Sequence, residues 1–215
     1  MPSIAYKHFQ RNIIDVRRLI ESHSDLSPSN PGRRKLGHLT RSGIVMLCAC
    51  WELYAEDVII ESARYLASKF DLPDRLPLQV KKHVSKQVKE AKHELKPLDL
   101  AGLGWKSVYD AYCCSEVKRL NTPKSEKLKP LFNSYLGIDD ITSMWCYDKA
   151  DIDDFVTLRG NIAHNGRSSP YIPIQDLQHH AEMIYKNSKH MDCQICDYLF
   201  ELVGGTIQPW RKTTK

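Results

Sequence analysis

The stretch Ile44-Val-Met-Leu-Cys-Ala-Cys-Trp51 is the longest apolar run of the chain, and it continues into Glu-Leu-Tyr-Ala-Glu-Asp57. Because it is apolar on nearly every side, it predicts a helix at the centre of a core. We place this helix at about residues 38–70, and Asp71-Leu-Pro-Asp74 ends it. The run is far shorter than the roughly 20 apolar residues that a membrane-spanning helix needs.

Six further helices are predicted around this segment, because apolar residues recur there three or four positions apart. Together they give an all-α protein, an antiparallel helical bundle with its longest helices at 38–70 and 174–203. We expect a single domain over residues 1–215, with its core at about 38–203, a helical insertion or flank at 98–149 and a loose tail at 204–215. The six helices cover about residues 3–23, 77–95, 105–120, 122–136, 151–164 and 174–203.

The composition is that of an ordinary globular protein, with 42% hydrophobic and 27% charged residues. The first residues lack the apolar segment of a signal peptide, so we expect a cytoplasmic protein that does not contact a membrane. The formal net charge of +5 permits an acidic partner such as RNA without requiring one.

The seven cysteines are an odd number, which favours reduced thiols in a chain without a secretion signal. Cys193 and Cys196 are the only pair with metal-ligand spacing, and no second pair completes a zinc site. Both fall in a predicted amphipathic helix, where residues three apart share a face. We therefore predict core or boundary cysteines, no metal site and no cofactor.

Most familiar catalytic motifs are absent from the sequence, which excludes P-loop nucleotide triphosphatases, zinc proteases and α/β-hydrolases. What remains is Arg159-Gly-Asn-Ile-Ala-His164. Arginine is always charged and its planar fork suits phosphate, while histidine exchanges protons near neutral pH. Metal-free RNA cleavage needs one group that takes the proton from the ribose 2′-OH and another that stabilises the phosphorane.

The spacing of Arg159 and His164 alone does not distinguish a site from coincidence, in a chain with 31 Lys+Arg and nine His. Five residues turn an α-helix by about 500°, so the two side chains lie roughly 140° apart in projection. They can line one cleft only if the helix loosens before Asn165-Gly166 or if a second chain closes the site.

The surrounding residues resemble a known family. Val156-Thr-Leu-Arg-Gly-Asn-Ile-Ala-His-Asn-Gly166 resembles the Arg-x₄₋₆-His signature of HEPN domains. Arg41-Ser-Gly-Ile-Val-Met-Leu-Cys-Ala-Cys-Trp-Glu-Leu-Tyr-Ala-Glu-Asp57 resembles the first core helix of the RiboL-PSP-type branch. Two more stretches are similar to the middle region of that branch: Asn121-Thr-Pro-Lys-Ser-Glu126 and Leu131-Phe-Asn-Ser-Tyr-Leu-Gly-Ile-Asp139. The resemblance covers about residues 38–203.

This resemblance implies a helical bundle that dimerises, with Arg159 and His164 as the catalytic pair. It makes Glu52 an acidic partner that orients one of the two, with a plain surface carboxylate as the equal alternative. Gly160 departs from the pattern, because the family usually has Asn, Asp or His after the arginine. Asn161 replaces that residue only partly, since one step along a helix is a rotation of about 100°.

Arg167 follows the motif, and it either holds a phosphate or is an ordinary surface arginine. The first hypothesis is a homodimeric, metal-independent endoribonuclease that cleaves RNA by transesterification, in a toxin–antitoxin or phage-defence setting. The second is a non-catalytic HEPN module that binds RNA, a nucleotide or a partner protein, and Gly160 favours it. A weaker third is a purely structural helical adaptor. The expected partners are RNA, a second copy of the chain and an antitoxin or regulatory protein.

Overall fold

A computed structural model describes residues 1–26 and 36–213. The described residues form seven α-helices and no strand, so the predicted all-α fold is confirmed. Residues 24–37 are rich in turn-forming residues and are predicted from the sequence as a loop. This loop lies mostly outside the described residues, as do the last two residues of the tail. The helices are α1 (Ile4–Asp25), α2 (Gly37–Lys69), α3 (Leu78–Glu90), α4 (Gly104–Val117), α5 (Ser125–Leu136), α6 (Lys149–Asn165) and α7 (Ile174–Leu202), joined in part by 3₁₀ turns at Pro73–Arg75, Lys96–Leu100, Ile141–Met144 and Gly166–Ser168.

Helix α2 is the centre of the bundle, and it packs against α1, α4, α5, α6 and α7. Its apolar run explains this position, because Ile44, Leu47 and Trp51 are completely buried. The prediction of a central helix from this run is confirmed. Neither α2 nor any other helix in the described ranges is long and apolar enough to cross a membrane.

Helices α4 and α5 belong to the same core as α2. Trp105 and Tyr109 of α4 and Phe132 and Tyr135 of α5 are buried in one continuous cluster with the side chains of α2. Residues 98–149 therefore supply part of the central packing, and their interpretation as an insertion or flank stays a prediction.

The C-terminal tail packs onto the bundle as far as the structure describes it. Trp210 is buried, and its Nε1 donates a hydrogen bond of 3.2 Å to the carbonyl oxygen of Asp192 on α7. The Cys196 thiol donates in turn to the carbonyl oxygen of Trp210 at 3.2 Å. The prediction of a loose tail is wrong for residues up to 213, since an aromatic anchor and two hydrogen bonds hold it.

Candidate functional site

Arg159 lies on α6, which directs its guanidinium towards the central helix α2. The helix begins at the capping residue Asp148, whose side chain accepts from the amide of Ala150, and it buries Phe155 and Ile162 in the core. This apolar stripe fixes the rotation of α6 about its axis. Arg159 therefore lies at the boundary between α6 and α2, with 24% of its side chain exposed.

Three groups hold the guanidinium of Arg159. Its Nη2 donates to the carbonyl oxygen of Asn121 at 2.8 Å and lies 3.4 Å from Oε2 of Glu52. Its Nε donates to Sγ of Cys48 at 3.3 Å. Sequence left open whether Glu52 partners Arg159 or His164, and the structure pairs it with Arg159.

The electrostatics of this cluster keep Arg159 charged. Contact with Cys48, and the nearby Glu52, raise the pKa of Arg159 above its ordinary value. Burial raises the pKa of Glu52, and the charge of Arg159 opposes that rise. Burial also raises the pKa of Cys48, so its sulfur is a neutral thiol that accepts only a weak hydrogen bond.

One nitrogen of the arginine remains available. The hydrogen bonds of Arg159 to the described part of the chain use its Nε and Nη2 atoms, and none of them uses Nη1. A guanidinium held along one edge is pre-oriented and donates to a phosphate oxygen from the other. The cluster therefore presents a fixed cation to a ligand.

His164 lies in the last turn of α6 and is exposed. The helix stays regular to Asn165, so it does not loosen in a way that would turn His164 towards Arg159. Within residues 1–26 and 36–213, His164 makes no hydrogen bond or ion pair. One chain therefore does not bring the two side chains to a common point. Asn161 and Arg167 are also exposed, and the described structure shows no hydrogen bond or ion pair from either side chain to Arg159.

A family model described as RiboL-PSP-HEPN matches residues 11–197. The chain belongs to the RiboL-PSP-HEPN family. The resemblance to this family is thereby confirmed, whereas the Arg-x₄₋₆-His signature stays a prediction. The match extends into α1, beyond the core that we predicted. The chain has no match among curated proteins and none among solved structures. Membership in this family is consistent with an RNase or another RNA-related function.

Gly160 is the position at which the sequence resemblance implies a departure from the family pattern. The position is helical, and a Cβ added there would meet no heavy atom within 4 Å. A side chain at 160 therefore has room, and nothing in the packing of α6 requires glycine.

Gly160→Ala is expected to stabilise the protein by about 0.5–1 kcal/mol, because glycine loses more backbone entropy than alanine inside a helix. Urea unfolding measures the change. The matched control is Gly43→Ala on α2, where an added Cβ would collide with the buried Leu177 and the variant should be destabilised. Equal effects at the two glycines would contradict the expectation.

The sequence missed two residues of this site, Cys48 and Asn121. Cys48 stands one turn before Glu52 on α2, so the spacing of four residues could have placed both on the side that faces Arg159. Asn121 contributes its backbone carbonyl, and no side-chain pattern signals a backbone acceptor.

A second carboxyl, that of Glu56, lies one turn beyond Glu52 on α2. Burial and then the charge of Glu52 raise the pKa of Glu56 to about 7.

Proposed function

We propose that this HEPN protein is a metal-independent endoribonuclease, with an active site that Arg159 and His164 form across two copies of the chain. The observation that carries the proposal is the fixed guanidinium of Arg159. Glu52 and the Asn121 carbonyl hold one edge of it, and Nη1 is left for a phosphate oxygen. The match to the RiboL-PSP-HEPN family supports an RNA substrate.

In the proposed reaction His164 accepts the proton of a ribose 2′-OH, and the 2′-oxygen attacks the adjacent phosphorus. Arg159 donates through Nη1 to the oxygens of the phosphorane as negative charge develops there. The bond from phosphorus to the 5′-oxygen then breaks, and that oxygen takes the proton from the imidazolium that His164 has become. The products are a 2′,3′-cyclic phosphate and a 5′-OH.

An exposed apolar surface supports the second copy. Val45, Met46 and Leu53 of α2 are 38%, 37% and 47% exposed. Val45 and Met46 share a shallow depression of about 440 Å³ with Ile162 of α6. A second chain that covers this side of α2 and α6 would bury the apolar side chains. In a two-fold arrangement it would also bring its own α6 towards Arg159.

The reaction is tested with one RNA oligonucleotide made in two forms. We expect the protein to cut the all-ribose form in EDTA and to leave a 2′,3′-cyclic phosphate, identified by mass spectrometry. The same strand with a single 2′-deoxynucleotide 5′ to that bond should stay intact there, because the nucleophile is missing. Cleavage of the deoxy-substituted bond, or cleavage only after a divalent metal is added, would contradict the proposal.

The alternative is a non-catalytic HEPN module that binds RNA, a nucleotide or a partner protein. Gly160 favours it, because the polar residue usual at that position is missing beside Arg159. RNA that is bound but never cleaved in the assay above would support this alternative. Three further proposals rest on the family resemblance and on the sequence. They are a toxin–antitoxin or phage-defence setting, an antitoxin or regulatory partner, and a cytoplasmic location.

A further inference from the structure

The connection between α4 and α5 lies beside Arg159, and hydrogen bonds hold it at every second residue from 121 to 125. The Asn121 carbonyl accepts from Arg159, and the Pro123 carbonyl accepts from Nε1 of the buried Trp51 at 3.0 Å. Ser125 donates its backbone amide at 2.7 Å and its hydroxyl at 2.6 Å to the carboxylate of Asp153 on α6. This connection is therefore held by both helices that form the candidate site.

The same stretch is rich in positive charge. Residues 118–127, which we call the cationic segment, contain four cations and one carboxylate, Glu126. Three of the cations are exposed and one is half-buried. In the described ranges none of the four makes an ion pair. By contrast, Nζ of Lys129, just beyond the segment on α5, lies 2.7 Å from Oδ2 of Asp140. The four cations are Lys118, Arg119, Lys124 and Lys127.

The charge of the cationic segment affects a carboxyl group next to the candidate site. Lys118 lowers the pKa of Glu56, against the effects of burial and of Glu52 that raise it. Lys118 therefore acts on the row of carboxyls that begins with the partner of Arg159. A row of exposed cations on a rigid connection attracts a polyanion and loses little conformational entropy when it binds one.

We propose that the cationic segment binds the phosphates of single-stranded RNA that flank the scissile bond. The proposal rests on the proposed function, because Arg159 would hold the phosphate that reacts. The segment would then extend the contact along the backbone without reading the bases, since its cations recognise charge. RNA affinity should therefore depend on salt and change little with base sequence.

The test measures RNA binding separately from cleavage. A His164→Ala chain is titrated with a fluorescent 20-nucleotide RNA at several KCl concentrations, with and without Lys118→Gln and Arg119→Gln. Each lost phosphate contact lowers the slope of log affinity against log salt by about 0.7, so the double change should lower it by about 1.4. At low salt the affinity should fall on the order of tenfold.

The matched control is Lys82→Gln with Lys89→Gln, two exposed lysines on α3 that make no ion pair in the described structure. This pair should leave the slope unchanged, and thermal unfolding should show that both double variants are folded. Equal slopes for the two double variants would overturn the proposed role of the cationic segment and would leave the endoribonuclease proposal standing. No RNA binding by the unaltered chain in EDTA, even at low salt, would overturn the endoribonuclease proposal as well.

Discussion

Replacing His164 by alanine is expected to lower the rate of RNA cleavage by about 10²–10⁴-fold, which is the usual contribution of general acid–base catalysis. Alanine can neither take the 2′-OH proton nor return one to the leaving oxygen. The fold should tolerate the change, because His164 is exposed and makes no hydrogen bond within the described residues. Single-turnover cleavage in EDTA measures the loss, and RNA affinity should stay within a few-fold of the original.

The matched control for this prediction is His190→Ala on α7, another exposed histidine of the same chain. It should cut RNA at the original rate, which separates a role of His164 from a general need for surface histidines. If His164→Ala cuts as fast as His190→Ala, the imidazole of His164 takes no part in the reaction. The proposed mechanism would then be wrong, while the fold and the family would stand.

The parts of the bundle that could be predicted are the helices whose own sequence shows both their burial and their ends. The run from Ile44 to Trp51 is apolar on nearly every side, so the central position of α2 was predictable from local composition. The bounds of α6 also came within two residues, from 151–164 to Lys149–Asn165, because an apolar stripe and the Asn165-Gly166 stop delimit it.

The sequence was less informative where burial depends on distant contacts. Residues 98–149 form short helices, and each has too few apolar positions to show which neighbour it will meet. Trp210 stands alone in a polar tail, and its burial depends on Asp192 and Cys196, which are distant in sequence. Sequence patterns cannot indicate such a contact, because a single aromatic residue has no periodicity.

The residue types of the candidate site were predictable from the sequence, but their pairing was not. Arg159, His164 and Glu52 could be named from residue chemistry and resemblance. The choice of Arg159 as the partner of Glu52 depends on how α6 lies against α2, and that arrangement is a property of the packed bundle. The role of Asn121 depends on a backbone carbonyl, and the residues that carry it could be of almost any type.

Arg159→Ala is expected to lower the cleavage rate by about 10²–10³-fold, because the phosphorane loses a fixed hydrogen-bond donor. It should also destabilise the fold by roughly 1 kcal/mol, since Glu52 loses its cation and the Asn121 carbonyl loses its donor in a half-exposed site. Urea unfolding separates the two roles of the arginine. Adding Glu52→Gln should recover part of the stability and none of the cleavage, because a neutral amide does not need the missing cation.

Mixing the two inactive variants tests whether the active site is shared. In a mixed dimer of Arg159→Ala and His164→Ala, one site loses both groups, and the other combines Arg159 of the second variant with His164 of the first. Two-fold symmetry therefore predicts partial recovery of cleavage after the variants exchange subunits. If both variants dimerise and exchange but the mixture stays inactive, Arg159 and His164 do not act across the interface. Each chain would then have to bring together two side chains that a regular α6 holds roughly 140° apart.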